Sequence, residues 1–221
     1  MTALHHISEH IQLLLRQQST VRLAFPGGRS ALTLMDGLSN TAFDWASVQV
    51  TLVDERAVAA THEASNARLV CQTLLKNQAC AATFEPLFDE DSVESSLQTL
   101  NAQRRPLDIV VLGMGDDGHF ASLFPADEPV PGLLAGSDAF VGTRPIGSPC
   151  VRRLSMTLST LLSASLVVLL VSSEAKRAKV NLGLTTIDPC NPISYLLASE
   201  HPIWVEWPDQ SMSLIQQGVV Q

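Results

Sequence analysis

Asp117 and His119 stand two residues apart in a glycine-broken loop, Gly113-Met114-Gly115-Asp116-Asp117-Gly118-His119. A histidine held beside carboxylates is a candidate general base, because imidazole titrates near neutral pH and a neighbouring carboxylate can orient the ring. Two other places gather chemistry-bearing side chains where an apolar run ends: Asp54-Glu55-Arg56 and Gly27-Gly28-Arg29-Ser30. A glycine pair followed by serine at a helix start is anion-binding geometry, since unpaired N–H groups and the helix dipole point at the loop. Arg29 adds a forked donor suited to phosphate. The same residues also fit blander readings: a strand–helix turn capped by Ser30, and a charge run at 54–56 that faces water.

The central loop has two further readings. Gly113-x-Gly115-x-x-Gly118 matches the dinucleotide fingerprint, but that motif opens the first βαβ unit and leads into a long helix. Here about half the chain precedes it, and it leads into Phe124-Pro125. A glycine-rich turn without chemistry is the other reading. Lys176 poses a separate question. A cation near a helix N-terminus opposes the dipole, so it is either solvated or held by an anionic ligand.

The elements that must position these groups alternate. Helices are expected at 3–18, 31–38, from Ser65-Asn66 to about 75, at 92–103, 159–164 and 174–182, and after Pro208-Asp209, from apolar positions recurring at helical spacing and from capping residues. Buried strands are expected at 21–25, 48–53, 109–112 and 166–171, with short extended pieces at 84–88 and 203–206. Residues 152–158 alternate like a half-buried strand. Residues 126–149 are rich in Pro and Gly, the composition of a lid or site wall. Strands alternating with helices predict an α/β sandwich with a mainly parallel sheet, in which loops past the carboxyl ends of the strands carry the site.

Of the 221 residues, 46% are hydrophobic and 16% charged, which permits a large core and one domain over 1–221. The net charge of −8 argues against nucleic acid and anionic membrane surfaces as partners; an anionic small substrate needs a local cationic cluster. His5, His6 and His10 have no carboxylate or cysteine partner at ligand spacing and read as solvated, as does His62. Cys71, Cys80, Cys150 and Cys190 show neither C-x-x-C nor zinc spacing; reduced, mostly buried thiols of a cytosolic protein are expected. The N-terminus lacks a basic segment and an apolar h-region, and the longest apolar run, 161–171, is too short to span a bilayer.

Taken in order, these segments resemble the 6-phosphogluconolactonases within the wider glucosamine-6-phosphate isomerase/lactonase superfamily. Gly27-Gly28-Arg29-Ser30 matches the family's glycine-pair loop. Asp54-Glu55-Arg56 with Ser65-Asn66 matches D-E-R…S-N. Leu112 to Pro125 matches L-G-x-G-x-D-G-H-x-A-S-L-F-P, and Arg153 to Leu158 with Lys176 matches R-[IV]-[TS]-x-T…K. Pro26 stands where serine is common, Ser173 stands where glycine is expected, and the tail after Asn191-Pro192 is weaker than the pattern.

The resemblance implies a three-layer α/β sandwich with a Rossmann-like sheet, and hydrolysis of 6-phospho-D-glucono-1,5-lactone in the oxidative pentose phosphate pathway. It implies a cytoplasmic enzyme with no metal or organic cofactor and no obligate protein partner. His119 would be the base, Asp117 would orient it, and Asp54 and Arg56 would shape the reacting end. Gly27, Gly28, Arg29, Ser30, Lys176 and Arg153 would bind the phosphate. Two alternatives stay open. The related deaminases follow G-H with I-A-F-N-E-P, whose Glu serves ring opening, and Phe124 occupies that position here. A sugar-phosphate sensor would carry a helix-turn-helix, for which the short stretch before residue 27 leaves no room.

Overall fold

The structure, a computed structural model, describes residues 1–216. In chain order the elements are α1 (Ala3–Leu15), β1 (Val21–Phe25), α2 (Leu32–Ser39), β2 (Val48–Leu52), β3 (Asp54–Arg56), α3 (Asn66–Thr73), β4 (Thr83–Phe84), α4 (Val93–Gln103), β5 (Ile109–Gly113), β6 (Phe140–Gly142), β7 (Arg153–Met156), α5 (Leu158–Leu161), β8 (Leu166–Leu170), α6 (Glu174–Gly183), α7 (Ile193–Leu197), β9 (Ile203–Glu206) and β10 (Met212–Ile215). A 3-10 turn, Arg29–Ala31, leads into α2.

The apolar runs become the sheet. Its order is β10-β9-β8-β5-β1-β2-β4, parallel throughout except for β9–β10. The inner strands are buried on both faces: all five residues of β8 are buried, as are Ile109 to Leu112 of β5. That burial explains their unbroken Leu/Ile/Val composition. Helices flank the sheet, α1 packing on α2, α2 on α3, and α6 on α7. From β1 the chain builds outward to β2 and β4, then returns to β5 and builds the other way. The boundary between β1 and β5 is thus a topological switch point, where the loops after neighbouring strands diverge and leave a crevice.

Several expectations need correction. Asp54-Glu55-Arg56 is not a charge run facing water: Asp54 and Glu55 are buried. It forms β3, antiparallel to β7, in a second sheet of order β3-β7-β6. β7 is the middle strand of that sheet and is wholly buried rather than half-buried. The helix expected after Pro208-Asp209 is instead a turn into β10: Asp209 accepts from the Ser211 backbone N–H (3.0 Å), and Trp207 N–H bonds to the Ser211 carbonyl (2.9 Å). Its continuation past 216 lies outside the described residues. All four cysteines are free and exposed rather than buried, because they fall on outward helix faces and loops. No helix opens at Gly118, where the chain makes short antiparallel bridges through Phe120; the dinucleotide reading therefore lacks its helix.

Glu55 ties β3 to the start of α3. It is 2% exposed, and its carboxylate accepts from the backbone N–H groups of Arg56 (2.7 Å), Asn66 (2.8 Å) and Ala67 (2.7 Å) and from the Ser65 hydroxyl (3.1 Å). Burial pushes its carboxyl above the usual range, and the three N–H donors act in the opposite direction. Glu55→Gln puts an amide NH2 among donors, so urea denaturation should show a loss of about 1–3 kcal/mol. Unchanged stability would mean that the α3 start does not depend on this side chain.

Candidate active site

A cleft of about 460 Å³ opens at the switch point, lined by Pro26 to Ser30, Asp54, Arg56, Asn66, Gly113 to Gly115, His119, Ala121, Arg153, Ser172 and Lys176. Every residue expected to act on or bind the substrate borders it except Asp117, which reaches it through His119.

The loop after β5 is closed by hydrogen bonds from Gly115 N–H to the His119 carbonyl (2.8 Å) and from Gly118 N–H to the Gly115 carbonyl (3.1 Å). Gly118 has a φ of +90°, which favours glycine, and a Cβ there would stand 2.2 Å from Asn191 Oδ1. The closure brings the side chains together. Asp117 Oδ1 lies 2.6 Å from His119 Nδ1 and also accepts from the His119 backbone N–H at 3.1 Å. With Nδ1 occupied, Nε2 is the nitrogen left for chemistry. Burial pushes the Asp117 carboxyl up, but the His119 hydrogen bond and charge outweigh it, so the group lies below the usual carboxylate range.

Asp54 is buried and fully engaged. The Ser122 hydroxyl and Asn66 Nδ2 (3.2 Å) both donate to its carboxylate, and Asn66 Nδ2 also reaches its carbonyl at 2.9 Å. Ser122 is fixed in turn by Ser155 Oγ, which accepts its backbone N–H at 3.1 Å. Asp54 thus fastens the loop after β5 to β3 and α3.

Four cations face the cleft. Arg56 donates to the Ala64 carbonyl (2.6 Å), while its Nε is buried without a partner. Arg153 is buried; it donates to the Ile146 carbonyl at 3.2 Å and the Ser148 carbonyl at 3.4 Å. The 126–149 segment, expected as a lid or site wall, braces Arg153 in this way but contributes no residue to the cleft lining. Burial and the Arg56 charge lower its guanidinium pKa, against the opposing pull of Asp54 and Glu55. Lys176 lies on the first turn of α6, with Nζ 3.2 Å from Ser172 Oγ and 3.9 Å from Asp116. Ser173, the departure from glycine, caps that helix by accepting from the Lys176 backbone N–H at 3.3 Å. Arg29 is exposed at the mouth. Ser30 caps nothing: neither the 3-10 turn nor α2 has a side-chain cap bond. Gly27 is obligatory, since a Cβ there would stand 1.9 Å from Asn66 Oδ1.

Sequence reasoning missed Ser122, Ser172 and the pocket role of Asn66. The last was legible only as half of S-N, where its partner Ser65 caps α3. Among the described residues no group of three or more His, Cys, Asp or Glu side chains is placed to hold a metal, and no helix is long and apolar enough to cross a membrane.

The fold and cleft define a class: an α/β sandwich with a crevice at its switch point lined by three arginines and a lysine, and a histidine–carboxylate pair on its rim. A family model described as glucosamine-6-phosphate isomerases/6-phosphogluconolactonase matches residues 1–204, and the chain belongs to that family. It is 36% identical over 208 residues to a 6-phosphogluconolactonase of Mesorhizobium japonicum, covering 91% of this chain and 87% of that one. It is 36% identical over 195 residues to one of Pseudomonas putida, covering 85% and 79%. A crystal structure of a 6-phosphogluconolactonase from Shewanella baltica superposes with a TM-score of 0.84 at 32% identity, covering 92% of this chain and 90% of that one.

Gly115 tests whether the His119–Asp117 geometry matters. A Cβ there would lie 2.2 Å from His119 Nδ1 and 2.5 Å from Asp117 Oδ1. Gly115→Ala must push the pair aside, and turnover should fall roughly 10²-fold with little change in melting temperature. Native turnover in the variant would show that the pair can shift without cost.

Proposed function

We propose that this chain hydrolyses 6-phospho-D-glucono-1,5-lactone to 6-phospho-D-gluconate, as its relatives' names state of them, and that it serves the oxidative pentose phosphate pathway in the cytoplasm as one domain over 1–221. The observation that carries the reading is the His119–Asp117 pair, joined at 2.6 Å, on the rim of a cleft lined by Arg29, Arg56, Arg153 and Lys176.

His119 Nε2 takes a proton from a water whose oxygen attacks the lactone carbonyl carbon. Asp117 holds the ring in the tautomer this needs and stabilises the imidazolium that results. The tetrahedral intermediate then collapses, the bond from that carbon to the ring oxygen breaks, and the ring oxygen receives the proton from His119. The product acid ionises in solvent. Arg56 faces the developing oxyanion or the phosphate, and Asp54 shapes that wall through Asn66 and Ser122. The phosphate sits between the Gly27-Gly28-Arg29-Ser30 loop and Lys176, with Arg153 as a third charge. These contacts grip a part of the substrate remote from the carbonyl, so they position as well as bind. The isomerase branch has less support, because Phe124, a group unable to transfer a proton, lies against His119.

The assay is acid release from fresh phosphogluconolactone, corrected for spontaneous hydrolysis. His119→Ala should lower kcat by roughly 10²–10⁴-fold, and near-native turnover of the folded variant would sink the base assignment. Lys176→Ala should lower kcat/KM for the phosphorylated lactone by about tenfold or more while barely changing that for gluconolactone. An unchanged ratio between the two substrates would remove Lys176 from the phosphate.

A further inference from the structure

We propose that Phe124 is a positioning residue for this reaction, holding the His119 imidazole and the Arg153 guanidinium in fixed relation across the cleft while staying out of the cleft itself; the proposal rests on the lactonase reading above. The imidazole stacks on the Phe124 ring, centroids 4.3 Å apart and planes 26° apart, and the Arg153 guanidinium carbon lies over the same ring, 5.3 Å from its centroid. One aromatic side chain thus touches both the base and a cleft cation.

The Asp117 hydrogen bond holds His119 at one edge of the ring, through Nδ1, and the Asp117 side chain is itself 49% exposed. A contact on the ring face adds a second restraint, normal to the ring plane, on where Nε2 points. Phe124 can supply it because it is buried and its backbone is restrained on both sides: Ser122 is tied to Asp54, and Pro125 limits the residue before it to extended conformations. The guanidinium gains from the same ring, because a cation over an aromatic face is attracted by its quadrupole. A side chain that merely filled the core would not need an aromatic face here. The ring also borders an apolar cavity of about 400 Å³ edged by Val141, Thr143 and Arg144, so its rear is not tightly packed.

The test uses the full chain and four variants: Phe124→Leu, Phe124→Tyr, His119→Gln, and Phe124→Leu combined with His119→Gln. Phe124→Leu keeps apolar bulk and removes the face; kcat should fall about two- to tenfold, the rate equivalent of an aromatic contact. KM for the phosphorylated lactone should also rise, through Arg153. Phe124→Tyr keeps the face and should restore kcat. In the His119→Gln background the leucine change should cost no further kcat, because its effect runs through the imidazole. If Phe124→Leu melts below the assay temperature, Phe124→Met goes through the same cycle. Wild-type kcat in a folded Phe124→Leu variant, an equal loss in both backgrounds, or failure of tyrosine to restore kcat would each overturn the proposal. Absence of lactonase activity in the unmodified chain would instead overturn the reading beneath it.

Discussion

Two adjacent buried carboxylates, Asp54 and Glu55, hold the site together. Taking a charge out of water is costly unless hydrogen bonds replace the solvent. Both groups meet that demand with neutral donors. Glu55 collects backbone N–H groups at the start of α3, and Asp54 collects the Ser122 hydroxyl and the Asn66 amide. Successive residues of a strand point to opposite faces, so this pair reaches two directions at once. One carboxylate anchors a helix and the other anchors the loop that carries His119. The cleft walls come from distant parts of the chain, and this pair is where they join.

The same economy resolves how a chain of net charge −8 presents a cationic cleft. Arg56 and Arg153 lie near Asp54 and Glu55, yet their hydrogen bonds go to carbonyls, those of Ala64, Ile146 and Ser148. The carboxylates are satisfied by neutral groups and the guanidiniums by neutral groups. Neither neutralises the other through a direct ion pair, so the arginines keep their attraction for an incoming anion. In a partly desolvated cleft that attraction is screened less than at the open surface. The remaining acidic excess is spread over the surface.

Much of this was legible in the sequence because local signals and global fold agree. Long Leu/Ile/Val runs can only be central strands, and glycine-broken loops after them fall on the functional rim. The central motif placed His119 and Asp117 together because their contact spans two residues. What escaped was whatever depends on distant partners. β3 is three charged residues whose strand character comes from pairing with β7, about a hundred positions later. Ser122 acquires its role from Asp54, and β10 is a strand only because β9 lies beside it. Pro208-Asp209 looks like a helix start because Asp caps helices, but the same side chain closes a tight turn equally well. The cysteines were misjudged because burial statistics for a residue type cannot say which way a particular helix face turns.

One departure from the family pattern, Ser173, follows from local physics. Ser173, in place of glycine, is the N-cap of α6, and the N–H it accepts is that of Lys176. A capped first turn fixes the backbone from which Lys176 extends, and Ser172 then holds the ammonium at the cleft. Placing a lysine on the first turn opposes the helix dipole. Asp116, 3.9 Å from the ammonium, and Glu174 in the same first turn offset that opposition. Serine at the cap thus stabilises the helix start from which Lys176 reaches the cleft.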